Sequence, residues 1–218
     1  SGIFPRSKDQ HKAGLLEMGA GIGGFTYAAK AIGMHTVMAL DSNRPAVAAF
    51  RVLHTDTPCH QGDLFHRASL WRAATSSPLV LSAGFSCQPY SAAGYQQGFQ
   101  DERADFLRAV LVYTHVLQPT AVTLECVRGF ATMDNGACLL ALRLALAEMP
   151  APLVLKDLTL DLHEVRPIRR ARWLAFCVRA SDWFSLPVQQ RTDLVRARWD
   201  RSHPRLHSLH APQVPLQR

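Results

Sequence analysis

One cysteine lies in a setting typical of a reactive thiol. Cys87 follows the apolar segment 79–83, and its neighbours are serine, glutamine and proline, which rarely build a core. In an open α/β sheet the carboxyl end of a strand is where catalytic groups gather. A lone cysteine is more often a small buried hydrophobe, but a cysteine on such a loop is better interpreted as exposed and nucleophilic. We therefore predict that Cys87 is a nucleophile.

A carboxylate is predicted at the same edge of the sheet. Glu125 ends the apolar run that starts at Ala121, and parallel strands bring their carboxyl ends to one edge. A solvated side chain is the ordinary outcome for a glutamate at a strand end. A catalytic role for Glu125 therefore depends on the role of Cys87.

A glycine-rich loop near the N-terminus indicates a nucleotide-like ligand. The apolar segment 13–17 leads into it, a helical pattern follows, and glycines there let a backbone approach a ligand closely. The spacing also fits the dinucleotide fingerprint, so it does not separate a nicotinamide cofactor from S-adenosylmethionine. A simple tight turn is the other alternative. The predicted cofactor-binding residues of the loop are Gly19, Ala20, Gly21, Ile22, Gly23 and Gly24.

Two acidic residues could complete a cofactor site. Asp41 ends the second predicted strand, about 20 residues after the glycines, where a carboxylate can accept hydrogen bonds from both ribose hydroxyls. A solvated loop aspartate is the alternative. Asp63, followed by Leu64, comes after a third possible strand end and could accept a hydrogen bond from an adenine amino group. A turn aspartate is equally compatible with that position.

Short apolar segments alternate with helical patterns, which predicts an α/β fold with a mostly parallel sheet. The last two strands are separated by about ten residues, too few for a helical crossover, so we predict an antiparallel hairpin at one edge of the sheet. The predicted strands are residues 13–17, 36–40, 79–83, 121–125, 153–161 and 172–179, and the predicted helices are residues 26–32, 45–53, 104–117 and 137–148.

Composition and charge limit the classes of protein to which the chain can belong. The 218 residues are 48% hydrophobic, with 24 Lys and Arg against 17 Asp and Glu, a net charge of +7. That charge suits a polyanionic partner such as nucleic acid, and equally an ordinary basic enzyme. The five cysteines are scattered, so neither a disulfide framework nor a metal site is predicted. Without an apolar run of roughly 18 residues, we expect a soluble, intracellular protein with no membrane partner.

The composition changes near residue 180. Periodicity fades there, and arginine, histidine and proline accumulate. We predict one domain over residues 1–180 and a basic, partly disordered tail over residues 181–218. The arginines of the tail are expected to bind nucleic acid without sequence preference.

Taken together, these segments resemble the ordered motifs of the DNA cytosine-C5 methyltransferase family. The resemblance spans roughly residues 13–180, and its most selective part is the Cys-Gln-Pro-aromatic-Ser segment 87–91. It implies a Rossmann-like, S-adenosylmethionine-dependent methyltransferase fold that acts on cytosine in DNA. The motifs that carry it are residues 17–25, residues 84–94 with Gly98, Phe99, Asp101 and Arg103, then Glu125 with Val127, and Arg170 with Arg172.

The resemblance implies a role for each motif residue. Cys87 adds to C6 of cytosine so that C5 can attack the sulfonium methyl group, and Glu125 meets N3 and the exocyclic amine. Arg172 and Arg170 hold the base carbonyl and a phosphate, with the base flipped out of the duplex. The implied cofactor site consists of the glycine loop together with Asp41, Asp63, Leu64, Gly84 and Ser86. The implied nucleic-acid contacts are Gln88, Ser91, Arg103, Arg170 and Arg172.

The sequence departs from the family pattern at four positions. Ser86 replaces a proline, Cys126 an asparagine, Ser42 an aromatic residue and Ile168 a glutamine. Family members are also longer, with a target-recognition region and C-terminal motifs that residues 181–218 do not resemble. A fragment, one part of a split enzyme and a degenerate copy all remain open. In each case, a second polypeptide or a missing segment would recognise the target in the DNA.

Three other functions remain open at this point. A transfer-RNA cytosine-C5 methyltransferase shares the fold and the nucleophile, and an inactive module could bind cofactor or nucleic acid. An NAD-dependent oxidoreductase fits the glycine loop and Asp41 but leaves Cys87 and Glu125 unexplained. Acting on DNA, the protein is expected in the nucleus of a eukaryote or the cytoplasm of a bacterium.

Overall fold

A seven-stranded sheet forms the centre of the computed structural model, which describes residues 13–64, 79–85, 104–161 and 170–196. The strand order is β3-β2-β1-β4-β5-β7-β6. The strands are β1 (Gly14–Met18), β2 (His35–Asp41), β3 (Cys59–Gln61), β4 (Leu79–Gly84), β5 (Ala121–Val127), β6 (Leu153–Asp161) and β7 (Ala171–Arg179). The helices are α1 (Gly24–Ala31), α2 (Arg44–Leu53), α3 (Asp105–Leu117), α4 (Gly129–Thr132), α5 (Ala137–Ala147), α6 (Ala180–Ser185) and α7 (Val188–Arg196), with a 3₁₀ turn at Met133–Gly136.

The strand directions confirm the predicted fold class. The five strands β3, β2, β1, β4 and β5 pair in parallel in that order, whereas β7 pairs antiparallel with both β5 and β6. The predicted hairpin therefore closes one edge of a mostly parallel sheet. Every residue of β1 is buried, as expected for a central parallel strand that is covered on both faces.

The predicted elements are confirmed with boundary shifts of one or two residues. The structure adds β3, a strand of three residues, just before Gly62 and Asp63. It also adds the short helices α4, α6 and α7, which the sequence did not indicate.

The described residues divide into two units, one ending at Trp183 and one starting at Phe184. In the second unit, the Arg191 guanidinium lies 5.8 Å from the centre of the Phe184 ring. Both α6 and α7 fall in or at the predicted tail, so part of it is helical. The boundary at residue 180 between a catalytic domain and a tail stays a prediction.

The expectation that no apolar run reaches about 18 residues is wrong for one stretch, because Gly129–Ala147 is long and apolar enough to cross a membrane by length and composition alone. The helix is interrupted within this stretch, because Asp134 and Asn135 adopt left-handed φ values of 48° and 53°. Phe130 and Leu142 from either side of this break are buried in the main core. The stretch therefore packs as core helices on the sheet.

Trp173 of β7 lies at the centre of the core near the predicted site. Its side chain is fully buried, and its ring centroid lies 4.7 Å from that of Phe130 and 6.4 Å from that of Phe85. The indole N–H donates to the Asp157 carboxylate at 2.8 Å. Arg143 of α5 donates to the same carboxylate at 2.5 Å. Asp157 thus ties β6, β7 and α5 together behind Phe85.

We expect Asp157→Ala to lower the free energy of unfolding by about 1–3 kcal/mol, because it leaves a buried indole N–H without its acceptor. Asp157→Asn keeps an amide oxygen that can accept from the indole, so its loss should be smaller. Urea denaturation followed by tryptophan fluorescence measures both. Equal stability of wild type and Asp157→Ala would show that this carboxylate does not hold β6 against the core.

Candidate active site

The glycine loop between β1 and α1 presents an open surface. Gly19, Gly21 and Gly23 adopt left-handed φ values of 63°, 55° and 91°, which side chains with a Cβ rarely adopt. A Cβ added at Gly21 or Gly24 would meet none of the described atoms within 4 Å. The loop therefore has a bare side on which a ligand can lie against backbone.

Glu17 supports this loop from inside the protein. Its carboxylate is buried and accepts hydrogen bonds from the backbone N–H groups of Phe25 and Thr26 at 3.1 and 2.9 Å. The Thr26 hydroxyl also donates to it at 2.5 Å. These contacts provide acceptors for backbone N–H groups in the first turn of α1, because the N-cap residue Gly23 has no side chain that could accept from them. Burial raises the pKa of Glu17, and the hydrogen bonds from Thr26 and Phe25 oppose that rise.

Asp41 lies beside the loop, at the end of β2. Its two carboxylate oxygens accept from the backbone N–H groups of Gly21 and Asn43, each at 2.7 Å. The Ala20 N–H donates to the Leu40 carbonyl at 3.0 Å, which joins loop and strand a second time. Because an ionised carboxylate can accept about four hydrogen bonds, the predicted ribose contact remains available to Asp41.

Asp63 and Leu64 follow β3, next to the end of β2. The Gly62 N–H donates to the Asp41 carbonyl at 3.0 Å. The Leu64 side chain is buried in the main core, and its carbonyl accepts from the Tyr113 hydroxyl. Asp63 is exposed. A cofactor contact by either residue stays a prediction.

Gly84 connects the glycine loop to the predicted catalytic carboxylate. A Cβ at Gly84 would lie 3.5 Å from Glu125 Oε2 and 3.6 Å from the Gly19 carbonyl oxygen. Gly84 is also the register partner of Glu125 in the sheet. The ends of β1, β4 and β5 therefore lie within van der Waals distance of one another. They form the sheet edge at which the sequence predicted the site.

Glu125 and Arg172 form an ion pair across β5 and β7. The distance from Arg172 Nε to Glu125 Oε1 is 2.8 Å, and the two side chains are 23% and 33% exposed. Arg170 lies just before β7 and is exposed; its backbone N–H donates to the Asp161 carboxylate at 3.2 Å. The structure thus brings Arg172 to the predicted glutamate, whereas it places the Arg170 backbone against Asp161.

Residues 14–150 match the family model for the C-5 cytosine-specific DNA methylase. The chain belongs to this family. It is 27% identical over 174 residues to the Type II methyltransferase M.HhaI of Haemophilus parahaemolyticus, covering 79% of this chain and 51% of that protein. It is 36% identical over 136 residues to M.BanI of Aneurinibacillus aneurinilyticus, covering 59% and 30%.

Solved structures show the same fold. The S. pombe Dnmt2 methyltransferase superposes with a TM-score of 0.62 at 21% identity, covering 79% of this chain and 55% of that one. A methyltransferase of Entamoeba histolytica gives 0.60 at 17% identity, covering 78% and 53%. The chain spans about half the length of M.HhaI and of these two structures. Methyltransferases of this family use S-adenosylmethionine as the methyl donor.

Five predicted site residues lie outside the described residues: Ser86, Cys87, Gln88, Ser91 and Arg103. The four described cysteines are all buried. Burial raises the pKa of Cys59 to about 11 and that of Cys177 to about 12, so these thiols stay protonated at neutral pH. Cys87 therefore stays the predicted nucleophile.

The backbone that leads to Cys87 is held on two sides. The Phe85 N–H donates to the Glu125 carbonyl at 3.2 Å, and the Phe85 ring packs edge-on against Phe130, with centroids 5.1 Å apart. Cys126, which stands where the family has asparagine, is buried, and its thiol contacts the Phe85 carbonyl at 3.9 Å. Cys126 thus places a weak donor next to this carbonyl.

Two residues that the sequence did not single out border the glycine loop. The Phe106 ring of α3 lies 2.7 Å from where a Cβ at Gly19 would be. His54, after α2, places Nε2 3.1 Å from the Ile22 carbonyl oxygen. Both lie far from the loop in sequence, so local pattern gives no signal for these contacts. Phe106 could have been noticed only as the first apolar residue of the helix that follows the Cys87 segment.

We expect Glu17→Gln to change the pH dependence of stability, because glutamine has the shape of the protonated acid. A raised folded pKa means that wild type loses stability as pH rises above the ordinary glutamate pKa, about 4.3. The stability of wild type relative to Glu17→Gln should therefore be lower at pH 8 than at pH 4. Urea denaturation at several pH values measures this. A relative gain of wild type with rising pH would mean that hydrogen bonding outweighs burial.

Proposed function

We propose that this chain carries the catalytic half of an enzyme that methylates C5 of cytosine in DNA, with S-adenosylmethionine as donor and Cys87 as nucleophile. The observation that carries the proposal is the meeting of Gly19, Gly84 and Glu125 at one sheet edge. A cofactor loop and a catalytic carboxylate are thereby neighbours, and the segment that holds Cys87 starts between them.

The residues around the loop fit the proposed cofactor. The bare side at Gly21 and Gly24 accepts a ligand that approaches the backbone, and Asp41 offers carboxylate oxygens beside it. Bound there, S-adenosylmethionine supplies an electrophilic methyl group. A nicotinamide cofactor would use the same loop, but Glu125, Arg172 and Cys87 would then have no role.

Cys87 activates the cytosine ring in the proposed reaction. C5 of cytosine is a weak nucleophile, and addition of the thiolate to C6 moves electron density through the ring to C5 and N3. C5 would then attack the methyl group of S-adenosylmethionine, the sulfur–methyl bond would break, and S-adenosylhomocysteine would leave with the electron pair of that bond. A base removes the C5 proton, the C5–C6 double bond re-forms, and the thiolate leaves. The ring ends as 5-methylcytosine, with the cysteine restored.

Glu125 and Arg172 orient the base. Arg172 binds Oε1 of the glutamate, while Oε2 faces Gly84, where it could accept from the exocyclic amine and, when it carries a proton, donate to N3. The guanidinium has further N–H donors for the base carbonyl or a phosphate. Holding the base in this way restricts it to a reactive alignment, where small misplacements cost on the order of a hundredfold in rate.

DNA is the proposed substrate because the matching family model is that of DNA methylases. The net charge of +7 suits a phosphate backbone, and the target base must leave the stack to reach Cys87. Transfer RNA would satisfy the same charge argument, so a side-by-side assay with both nucleic acids separates the two. We propose that a further segment or a second polypeptide recognises the target sequence. We also propose that the protein is located where the DNA is, in a nucleus or a bacterial cytoplasm.

We expect calorimetry to show binding of S-adenosylhomocysteine, the demethylated product, in preference to NAD. Asp41→Ala should weaken product binding by about tenfold or more, since it removes a charged acceptor. Asp56→Ala is the matched control, because it removes an exposed carboxylate that pairs with Lys30 in the last turn of α1, and should leave the Kd unchanged. Preference for NAD would contradict the proposed function.

We expect a DNA oligonucleotide that contains 5-fluorocytosine to form a lasting covalent adduct with this chain when S-adenosylmethionine is present. Fluorine cannot leave C5 as a proton does, so the thiolate is not eliminated. Denaturing electrophoresis and peptide mass spectrometry should place the adduct on Cys87. Cys87→Ala should abolish it, whereas Cys138→Ala, which removes a buried thiol, should not. Equal trapping by Cys87→Ala would show that another group is the nucleophile.

A further inference from the structure

The imidazole of His54 lies buried beneath the glycine loop. Its side chain is 5% exposed, and its ring packs on Phe50 with a centroid distance of 4.6 Å. Nε2 lies 3.1 Å from the Ile22 carbonyl oxygen. Because a carbonyl only accepts hydrogen bonds, Nε2 must carry the proton in this contact.

Gly23 makes this approach possible. A Cβ at Gly23 would lie 2.3 Å from His54 Nε2 and 2.8 Å from the Phe50 ring, which is closer than real Cβ atoms come to their neighbours. The left-handed φ of 91° at Gly23 also favours glycine. The loop and the imidazole therefore fit each other closely, with the ring in the space that a side chain at Gly23 would take.

The peptide between Ile22 and Gly23 is the part of the loop most in need of a restraint. Glycines flank Ile22 on both sides, and glycine offers little steric resistance to rotation of a peptide plane. The Gly23 N–H donates to the Ala20 carbonyl at 2.8 Å. The opposite end of the same peptide, the Ile22 carbonyl, is the end that His54 holds.

Ile22 is 61% exposed, and Gly21 and Gly24 leave open space on the outer side of the loop. With its carbonyl turned inward to a buried imidazole, the peptide cannot rotate that oxygen outward without breaking the hydrogen bond. A rotated carbonyl would place lone pairs on the bare side and change the surface that a ligand meets.

We propose that His54 is a positioning residue for cofactor binding, whose Nε2–H fixes the orientation of the Ile22 carbonyl and keeps the glycine loop in its binding conformation. This role rests on the proposed function, since the ligand of the loop is the methyl donor or its product. His54 touches neither substrate nor cofactor. Its effect is on the fraction of molecules whose loop is ready to bind, and the apparent Kd rises as that fraction falls.

Three variants test the role. His54→Phe keeps a ring of similar shape against Phe50 but removes the donor, and His54→Gln keeps an N–H donor of similar reach. Val47→Ala is the control for stability alone, because Val47 is buried in the same small core as Phe50. The affinity for S-adenosylhomocysteine is measured by calorimetry, and the melting temperature of each variant is measured without ligand.

We expect His54→Phe to raise the Kd about fivefold to tenfold, as for loss of one hydrogen bond, and His54→Gln to stay within about twofold of wild type. Val47→Ala should lower the melting temperature without changing the Kd. Binding by His54→Phe that equals wild type would overturn the role of His54, and so would a Kd that rises in Val47→Ala as much as in His54→Phe. A wild-type chain that does not bind the product at all would overturn the proposed function, and this inference with it.

A measurement on the wild-type chain keeps the proposal testable if His54→Phe does not fold. In nitrogen-15 NMR spectra of labelled histidine, His54 Nε2 should carry a slowly exchanging proton. A His54 imidazole protonated on Nδ1 alone could not donate to the Ile22 carbonyl, and that result would overturn the proposal.

Discussion

The close approach of two strand ends is the constraint on which the rest of the site depends. At the carboxyl ends of β1 and β4, a Cβ on Gly19 would lie only 2.6 Å from the Gly84 carbonyl oxygen, so the two backbones touch where no side chain fits. Gly19 starts the cofactor loop, and Gly84 starts the segment that leads to Cys87. Because Gly84 also pairs in register with Glu125, the order β1-β4-β5 brings the glycine loop, the start of the Cys87 segment and the proposed catalytic carboxylate to one edge. A different strand order would separate them.

Buried groups on both sides hold this edge in place. Under the loop, Glu17 is withdrawn from water to satisfy the first turn of α1, at the cost of a raised pKa. At the end of β4, Trp173 and Phe130 pack on Phe85. Rigid support of this kind matters because the glycine loop and the predicted Cys87 loop reach reactive alignment only when their ends are fixed.

Much of this arrangement is predictable from local sequence. Alternating apolar segments and helical patterns locate the main strands and helices, and the short spacing before β7 predicts its antiparallel pairing. Strand ends then place Asp41 and Glu125 at one edge. The contacts of His54 and Phe106 with the loop are not predictable in this way, because sheet topology joins residues that are distant in sequence. β3 has three residues, too few to show a period, and the polar composition of α7 conceals its helix.

A crystal structure of this chain with S-adenosylhomocysteine tests the central claim most directly, namely that the cofactor loop and the catalytic carboxylate form one site. The account predicts the product along Gly19 to Gly24, with Asp41 at its ribose and its sulfur directed past Gly84 toward Glu125 and Cys87. A product bound at another edge of the sheet, or one whose sulfur points away from Glu125, would contradict the account.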